Sequence, residues 1–225
     1  MRYFIELQYH GKNYHGWQQQ LNAITIQETL NNTLRMLLKS PINVMGAGRT
    51  DTGVHAEQFF AHFDFENEID AALLRYKLNS ILPSDIVIIA IFKVPDNTHA
   101  RFDAISRSYE YRIYLGKNPF LRDVTWQTPL QPSVEKMNEA AKLLLYHQDF
   151  KCFSKSKTDV NTYHCDIAEA VWKQEGKRLT FHITANRFLR NMVRAIVGTL
   201  IEVGFGKITL DDFKEIIESR NRSEA

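Results

Sequence analysis

The residues best suited to chemistry lie together in the segment 46–56, which reads Gly-Ala-Gly-Arg-Thr-Asp-Thr-Gly-Val-His-Ala. It carries one carboxylate, Asp51, with Arg49 two residues before it and His55 four residues after it. The segment lacks the Gly-Lys-Ser/Thr ending of a phosphate-binding loop, and a dinucleotide loop would need glycine at position 51. It also lacks a second carboxylate for acid–base catalysis of the glycosidase kind. Any chemistry here therefore depends on a single carboxylate.

A lone Asp between two threonines in a glycine-rich loop has two interpretations. In the first, the side chain accepts a hydrogen bond from the local backbone and forms a structural Asx-turn. In the second, the carboxylate is presented to a substrate, because the surrounding glycines let the backbone adopt positive φ and approach a ligand closely. The residues alone leave both interpretations open, with the structural one as the default.

The elements around this loop follow from hydrophobic periodicity. Apolar residues alternate in the strands, and Thr25 with Glu28 predicts a capping box that begins the first helix. The resulting order, β-α-β-β-α-β, is that of a ferredoxin-like unit with two helices on one face of an antiparallel sheet. The predicted strands are 3–9, 42–45, 59–65 and 86–91, and the predicted helices start at Thr25 and near Leu73.

The second half repeats this order without a closing strand. We therefore predict an α+β protein with two ferredoxin-like subdomains: residues 1–100, which carry the loop, and residues 101–225, which lack the last strand. The predicted strands are 109–115, 167–172 and 179–185, and the predicted helices are 134–146, 188–203 and 210–217.

Composition excludes several classes of protein. The chain has 225 residues, of which 44% are hydrophobic and 24% are charged, which is typical of a globular protein and not of a disordered or collagen-like one. Its two cysteines, Cys152 and Cys165, are too few for a disulfide framework. No apolar run approaches the roughly 20 residues that span a bilayer, and the first residues lack the features of a signal peptide. We expect a cytoplasmic protein without a membrane segment.

Charge is distributed unevenly along the chain. Residues 56–100 carry seven acids and three bases, whereas residues 151–194 carry nine bases and four acids. A basic surface suits a polyanion, because Lys and Arg neutralise phosphates and release counterions. The alternative is a solvated surface with chance clustering, and charge alone favours that alternative.

A longer set of motifs resembles one known family. Residues 48–56, Gly-Arg-Thr-Asp-Thr-Gly-Val-His-Ala, resemble the signature of the TruA family of tRNA pseudouridine synthases. The resemblance extends over almost the whole chain, through Gly16-Trp17-Gln18, Ala100-Arg101-Phe102-Asp103-Ala104, Tyr109-Glu110-Tyr111, Asn186, Phe188 and Met192-Val193-Arg194. It implies a pseudouridine synthase fold, in which the two ferredoxin-like subdomains share a mostly antiparallel sheet.

The resemblance also implies roles for particular residues. Asp51 is the catalytic nucleophile or proton-abstracting base, and Arg194 pairs with it and keeps it ionised. Tyr109 stacks on the uracil that leaves its helix and takes the C5 proton. Arg49 contacts the RNA backbone, and His55 belongs to the substrate-binding group. No metal or cofactor is implied, because a carboxylate can carry this isomerisation alone.

Basic residues further along are expected to contact RNA. Arg187, Arg190 and Arg194 stand at i, i+3 and i+7, which predicts one face of the helix 188–203, with Arg187 and Arg190 meeting phosphates. Lysines and an arginine outside that helix are candidates to follow the tRNA backbone: Lys151, Lys155, Lys157, Lys173, Lys177 and Arg178. For Trp17 with Gln18–Gln20, the sequence leaves open an RNA-facing loop or a buried tryptophan.

The function expected from the resemblance is isomerisation of uridine at positions 38 to 40 of the tRNA anticodon stem-loop, by a homodimer. Two alternatives stay open: an RNA-binding protein of the same fold without catalysis, and a pseudouridine synthase with another RNA target. The chain departs from the family pattern at His10, where an acid is usual, at Arg187, where a small residue is usual, and in the missing closing strand.

Overall fold

A computed structural model describes residues 1–155 and 160–225 of the chain. These residues form eight strands and five α-helices, divided between two compact units, Met1–Ala104 and Ile105–Ala225. Each unit has its own four-stranded sheet and its own hydrophobic cluster, which differs from the single shared sheet that the resemblance implies. None of the helices in these ranges has the length and apolar character needed to cross a bilayer.

The first unit is an antiparallel sheet covered by two helices. Its strand order is β2-β3-β1-β4, and each neighbouring pair is antiparallel. Leucines of the first helix, Leu30 and Leu34, are fully buried in the same cluster as Ile5 and Leu7 of the first strand. The elements are β1 (Arg2–Tyr9), α1 (Ile26–Leu38), β2 (Met45–Gly46), β3 (Ala56–Asp64), α2 (Ala71–Ile81) and β4 (Ile86–Val94).

The beginning of α1 agrees with the sequence, but β2 does not. The Thr25 hydroxyl accepts a hydrogen bond from the Glu28 backbone N–H (3.3 Å), which is the N-cap half of the predicted capping box. The reciprocal pair of bonds that completes a capping box is seen instead at Thr209 and Asp212, where the helix Leu210–Ser219 begins. The strand predicted at 42–45 is only Met45–Gly46. The reason is that the Val44 N–H donates to Asn31 Oδ1 (2.8 Å) on α1, so this stretch bonds to a helix side chain and not to a neighbouring strand.

The second unit has the strand order β6-β5-β8-β7. The short strand β6, parallel to β5, was not predicted, because three residues are too few to show periodicity. The other pairs are antiparallel. The elements are β5 (Arg107–Leu115), β6 (Trp126–Thr128), α3 (Val134–Leu143), β7 (Ile167–Glu175), β8 (Arg178–Ala185), α4 (Met192–Gly204) and α5 (Leu210–Ser219).

The helix predicted from Phe188 starts four residues later. Asn191 adopts the left-handed conformation (φ 69°), and α4 begins after it at Met192. Arg187 and Arg190 therefore lie before the helix, and the prediction that they share a helical face with Arg194 is wrong. An asparagine tolerates this conformation better than most residues, but its sequence context gives no sign of it.

His62 on β3 is a buried histidine of the first unit with a lowered pKa. The residue is 5% exposed, and its Nδ1 accepts a hydrogen bond from the Ala100 N–H (3.2 Å). Burial, followed by the charges of Arg2 and His99, lowers the pKa of His62 to about 4, with Asp64 acting in the opposite direction. The fold therefore favours the neutral ring, and this contribution to stability is present above the ordinary pKa near 6.5 and is lost between that pH and about 4.

In a His62→Asn variant, the free energy of unfolding should depend less on pH between about 6.5 and about 4 than it does in the wild type. The amide oxygen can still accept the Ala100 N–H, but it does not titrate. The free energy of unfolding of the wild type should fall between pH 7 and pH 4.5 by roughly 2–3 kcal/mol more than that of the variant. Urea unfolding at both pH values measures this difference. Parallel pH profiles for the two proteins would contradict it.

Candidate active site

Asp51 lies in the loop 46–56, between β2 and β3 of the first unit. A tight turn presents it: the Val54 N–H donates to the Asp51 carbonyl (3.2 Å), and Gly53 has φ +79°, the positive value that the third position of a type II turn requires. This closing bond uses the backbone of Asp51 and not its carboxylate. This bond closes the turn, and the role of the Asp51 carboxylate, structural or catalytic, stays a prediction.

The segment 10–17 holds the loop through backbone hydrogen bonds. The Trp17 N–H donates to the Thr50 carbonyl (3.3 Å), and the Gly53 N–H donates to the Tyr14 carbonyl (3.2 Å). The Tyr9 hydroxyl also lies 3.1 Å from the Thr50 hydroxyl. The residues on both sides of Asp51 are thus fixed to one neighbouring segment, which is how a protein holds a reactive group in one position.

The two segments approach so closely that glycine is required at two positions. A Cβ atom on Gly11 would lie 1.9 Å from the Val54 carbonyl oxygen. One on Gly16 would lie 2.2 Å from the Thr50 carbonyl oxygen, and Gly16 also has φ +85°. Because both neighbouring atoms belong to the backbone, no side-chain movement could relieve the overlap.

His55 and Arg49 lie at the two ends of the turn. The Gly11 N–H donates to His55 Nδ1 (2.9 Å), so this nitrogen acts as an acceptor. The His55 ring also contacts the His10 ring, with centroids 4.0 Å apart. His10 thus places a second imidazole beside the loop. Arg49 is exposed at the start of the turn.

Trp17 is a core residue. It is 2% exposed and packs against Phe59, with ring centroids 4.3 Å apart. A Cβ atom on Gly46 would lie 2.4 Å from the indole, so the start of the loop rests directly on this ring. The structure therefore supports the buried alternative for Trp17, while Gln18–Gln20 are exposed.

In the second unit, Tyr109 lies on β5. It is half-buried, and its ring meets Phe188 edge to face, with centroids 5.2 Å apart and planes at 85°. Tyr111, two residues along the same strand, is also half-buried, and burial raises the pKa of its hydroxyl. Both rings pack against the hydrophobic cluster of this unit. Their position fits an aromatic surface at the edge of a core.

The three arginines have different surroundings. Arg194 is exposed on α4 and lines an open cleft with Tyr111, Trp126 and Glu202. Arg187 is half-buried close enough to Cys165 for its charge to lower that thiol's pKa, although burial dominates and raises the pKa to about 11. Arg190 is exposed, and its carbonyl accepts a hydrogen bond from the Lys155 N–H (2.9 Å).

Hydrogen bonds that the sequence did not predict hold the segment between β8 and α4 in place. Asn186 and Asp166 bind each other: the Asn186 side chain donates to Asp166 Oδ2 (2.7 Å), and its Oδ1 accepts from the Asp166 N–H (2.9 Å). Arg107 donates to the Asn186 carbonyl (3.0 Å). These bonds fix the start of the segment that carries Arg187 and Arg190. Asn186 belongs to the family-like motif, but nothing in the sequence identifies its partner.

Asp51, Arg49 and His55 lie in one loop of the first unit, and Tyr109, Arg187, Arg190 and Arg194 lie in the second unit, where the Tyr109 ring contacts Phe188. The pairing of Asp51 with Arg194 stays a prediction. Among the described residues, no three His, Cys, Asp or Glu side chains form a cluster that would hold a metal ion.

Comparisons with known proteins agree on one family. A family model described as tRNA pseudouridine synthase matches residues 140–225. The chain is 49% identical over its full length to the tRNA pseudouridine synthase A of Parabacteroides distasonis, covering 89% of that protein, and 50% identical to that of Bacteroides fragilis, covering 90%. The tRNA pseudouridine synthase A of a Thermoanaerobacter species is 39% identical, with 98% of this chain and 91% of that protein aligned. The chain belongs to the tRNA pseudouridine synthase A family.

Proposed function

We propose that this protein isomerises uridine to pseudouridine at positions 38 to 40 of the tRNA anticodon stem-loop, with Asp51 as the catalytic group. The observation that carries the proposal is the presentation of Asp51. Its turn is closed and held by backbone bonds, so residue 51 is fixed in one position, as a reactive group requires. Together with membership of the family, this supports catalysis over a purely structural loop.

The reaction needs no redox step and no group donor. The bond from N1 of uracil to C1′ breaks, the base turns, C5 bonds to C1′, the C5 proton leaves and N1 gains a proton. Asp51 acts as nucleophile or base at the start. Tyr109 stacks on the uracil that has left its helix and accepts the C5 proton, and Arg194 keeps Asp51 ionised. Arg49 and His55 bind the RNA beside the carboxylate.

Further features belong to the same proposal. The two subdomains, 1–100 and 101–225, are ferredoxin-like, and the order β2-β3-β1-β4 with two helices in the first unit supports this for the amino-terminal one. The enzyme acts as a homodimer in the cytoplasm, on tRNA and without a cofactor.

The basic residues of the second unit lie at opposite ends of its sheet. Lys177 and Arg178 are at the turn between β7 and β8, and Lys173 is two residues before the end of β7. The start of β8 lies roughly 23 Å along the strand from Ala185. Tyr109 pairs with Ile183 near the other end, where Lys155 is bonded to Arg190. RNA that reaches Tyr109 therefore meets Arg187, Arg190 and Lys155 before it meets the turn. Lys157 lies outside the described residues.

Substitutions of basic residues at the two ends of the second unit's sheet should affect tRNA binding differently. We expect a Lys155→Ala/Arg190→Ala pair to weaken binding about tenfold and to lower the slope of log Kd against log salt by roughly 1.5, since each lost phosphate contact lowers it by about 0.7–0.9. The matched pair Lys173→Ala/Lys177→Ala should change affinity less than about twofold. Filter binding at several salt concentrations measures both. Equal losses at the two ends would contradict this assignment.

Tritium release tests the function itself. Unmodified tRNA carrying tritium at C5 of uridine should lose the label to water, because C5 exchanges its hydrogen for the glycosidic bond. One transcript keeps labelled uridine only at positions 38 to 40, and a matched transcript keeps it only outside the anticodon arm. We expect release from the first transcript alone.

Two other results of the tritium-release experiment would each support one of the alternative functions. Equal release from both transcripts would mean a different RNA target. Binding of tRNA without release of tritium, in folded protein, would favour an RNA-binding protein without catalysis and would refute the proposal.

A further inference from the structure

Asp85, the residue before β4, receives hydrogen bonds from both ends of the short 3-10 turn Gly11–Asn13. The Tyr14 hydroxyl donates to Asp85 Oδ1 (2.6 Å), and the His10 N–H donates to the Asp85 carbonyl (2.8 Å). The Asn13 amide lies 3.5 Å from Asp85 Oδ2. One carboxylate and one carbonyl thus fix the turn to the sheet.

The bond between Tyr14 and Asp85 is the strongest of this set. Tyr14 is 5% exposed, and burial, followed by the hydrogen bond and charge of Asp85, raises the pKa of its hydroxyl. The hydroxyl therefore stays protonated and remains a donor across the physiological range. The donor–acceptor distance of 2.6 Å lies in the short range typical of a hydroxyl that donates to a carboxylate oxygen.

Tyr14 is also part of the support of the catalytic loop. Its carbonyl accepts the Gly53 N–H (3.2 Å), two residues after Asp51, while the Gly11 N–H donates to His55 Nδ1 (2.9 Å). The residue that Asp85 fixes through its side chain therefore fixes the Asp51 turn through its backbone. No atom of Asp85 needs to contact the loop for this to work.

We propose that Asp85 is a positioning residue for the reaction, acting through Tyr14 on the turn that presents Asp51. This inference rests on the proposed function in one respect, the catalytic role of Asp51. A displacement of about 1 Å at a reacting group can cost about a hundredfold in rate, so the loss of one supporting bond is measurable. Binding of tRNA should change little, because neither side chain is placed among the RNA contacts.

The test compares Tyr14→Phe, Asp85→Ala and Asp85→Asn with a control, Tyr76→Phe, whose tyrosine is 71% exposed on α2. In single-turnover tritium release at saturating enzyme, Tyr14→Phe and Asp85→Ala should each be slower by about 10- to 100-fold, with the Kd for tRNA within twofold of the wild type. The double variant Tyr14→Phe/Asp85→Ala should be little slower than either single variant, because each substitution removes the same bond. Asp85→Asn should recover part of the rate, since its amide oxygen can still accept from Tyr14.

Hydrogen exchange supplies a second readout that does not depend on activity. In Tyr14→Phe, the Gly53 amide should exchange at least about tenfold faster, while amides in the centre of β3 keep their protection. If Asp85→Ala does not fold, Tyr14→Phe and Asp85→Asn decide the question. An unchanged reaction rate together with an unchanged Gly53 exchange rate would overturn the proposal, even if the melting temperature fell. If the wild type releases no tritium, the proposed function fails, and the exchange measurement still decides whether Asp85 positions the loop.

Discussion

An Asp51→Asn variant is expected to bind tRNA as tightly as the wild type and to form no pseudouridine. Asparagine has nearly the same shape, but it is neither an anionic nucleophile nor a base, so the single-turnover rate should fall by at least about 10⁴-fold. The loop should keep its conformation, because the bonds from Val54 to Asp51, from Gly53 to Tyr14 and from Trp17 to Thr50 all use backbone atoms. Tritium release and filter binding measure the two effects separately.

A matched control separates this chemistry from a general loss of charge. Asp96, whose side chain is 79% exposed at the end of β4, can be changed to Asn in the same unit. That variant should keep its rate within about twofold. If Asp51→Asn lost less than about tenfold while folded, Asp51 would not be the catalytic group, and the structural Asx interpretation of the loop would regain support.

Most of the fold was predictable because its elements are long and periodic. The alternation in β1 and the Thr25 N-cap of α1 are local signals, and both are confirmed. The errors occur where the determinants are not local. The strand at 42–45 is shortened by Asn31, which lies on another element, and β6 exists only because three residues run beside β5.

The start of α4 shows why a face of arginines was predicted wrongly. Hydrophobic spacing alone continues the helix back to Phe188, and the i, i+3, i+7 pattern of Arg187, Arg190 and Arg194 then follows. One residue, Asn191 at φ 69°, ends that continuity. A single left-handed residue leaves almost no trace in the hydrophobic spacing, and the preference of asparagine for caps and turns over helix interiors is too weak to locate it.

The candidate site also combines features that the sequence shows with contacts that it does not show. The unusual loop at 46–56 was visible in the sequence, because glycines, an acid and two bases are rarely so dense. Its supports were not visible, since Tyr14 and Asp85 are 71 positions apart and show no shared periodicity. The requirement for glycine at position 11 likewise comes from a backbone oxygen more than forty residues away, at Val54. Candidate catalytic residues can thus be proposed from a motif, whereas the residues that hold the motif in place need three-dimensional contacts to be found.

A Gly11→Ala variant should lose most of its activity although the change adds one methyl group. Its Cβ would lie 1.9 Å from the Val54 carbonyl oxygen, far inside van der Waals contact, so one backbone must move by about 1 Å or more. Movement of Gly11 would also strain its N–H bond to His55. We expect the single-turnover rate to fall by roughly 10²-fold or more, and the free energy of unfolding to fall by about 1–3 kcal/mol.

Gly176→Ala is the control that distinguishes displacement of the loop from loss of stability. Gly176 has φ +57° in the turn between β7 and β8, and no atom lies within 4 Å of its added Cβ. Alanine there costs about 1 kcal/mol of stability through backbone strain alone. Its reaction rate should stay within about twofold of the wild type, because this turn is far from Tyr109 along the strand. If both glycine variants lost activity in proportion to their loss of stability, the close contact between Gly11 and Val54 would not be what holds the catalytic loop.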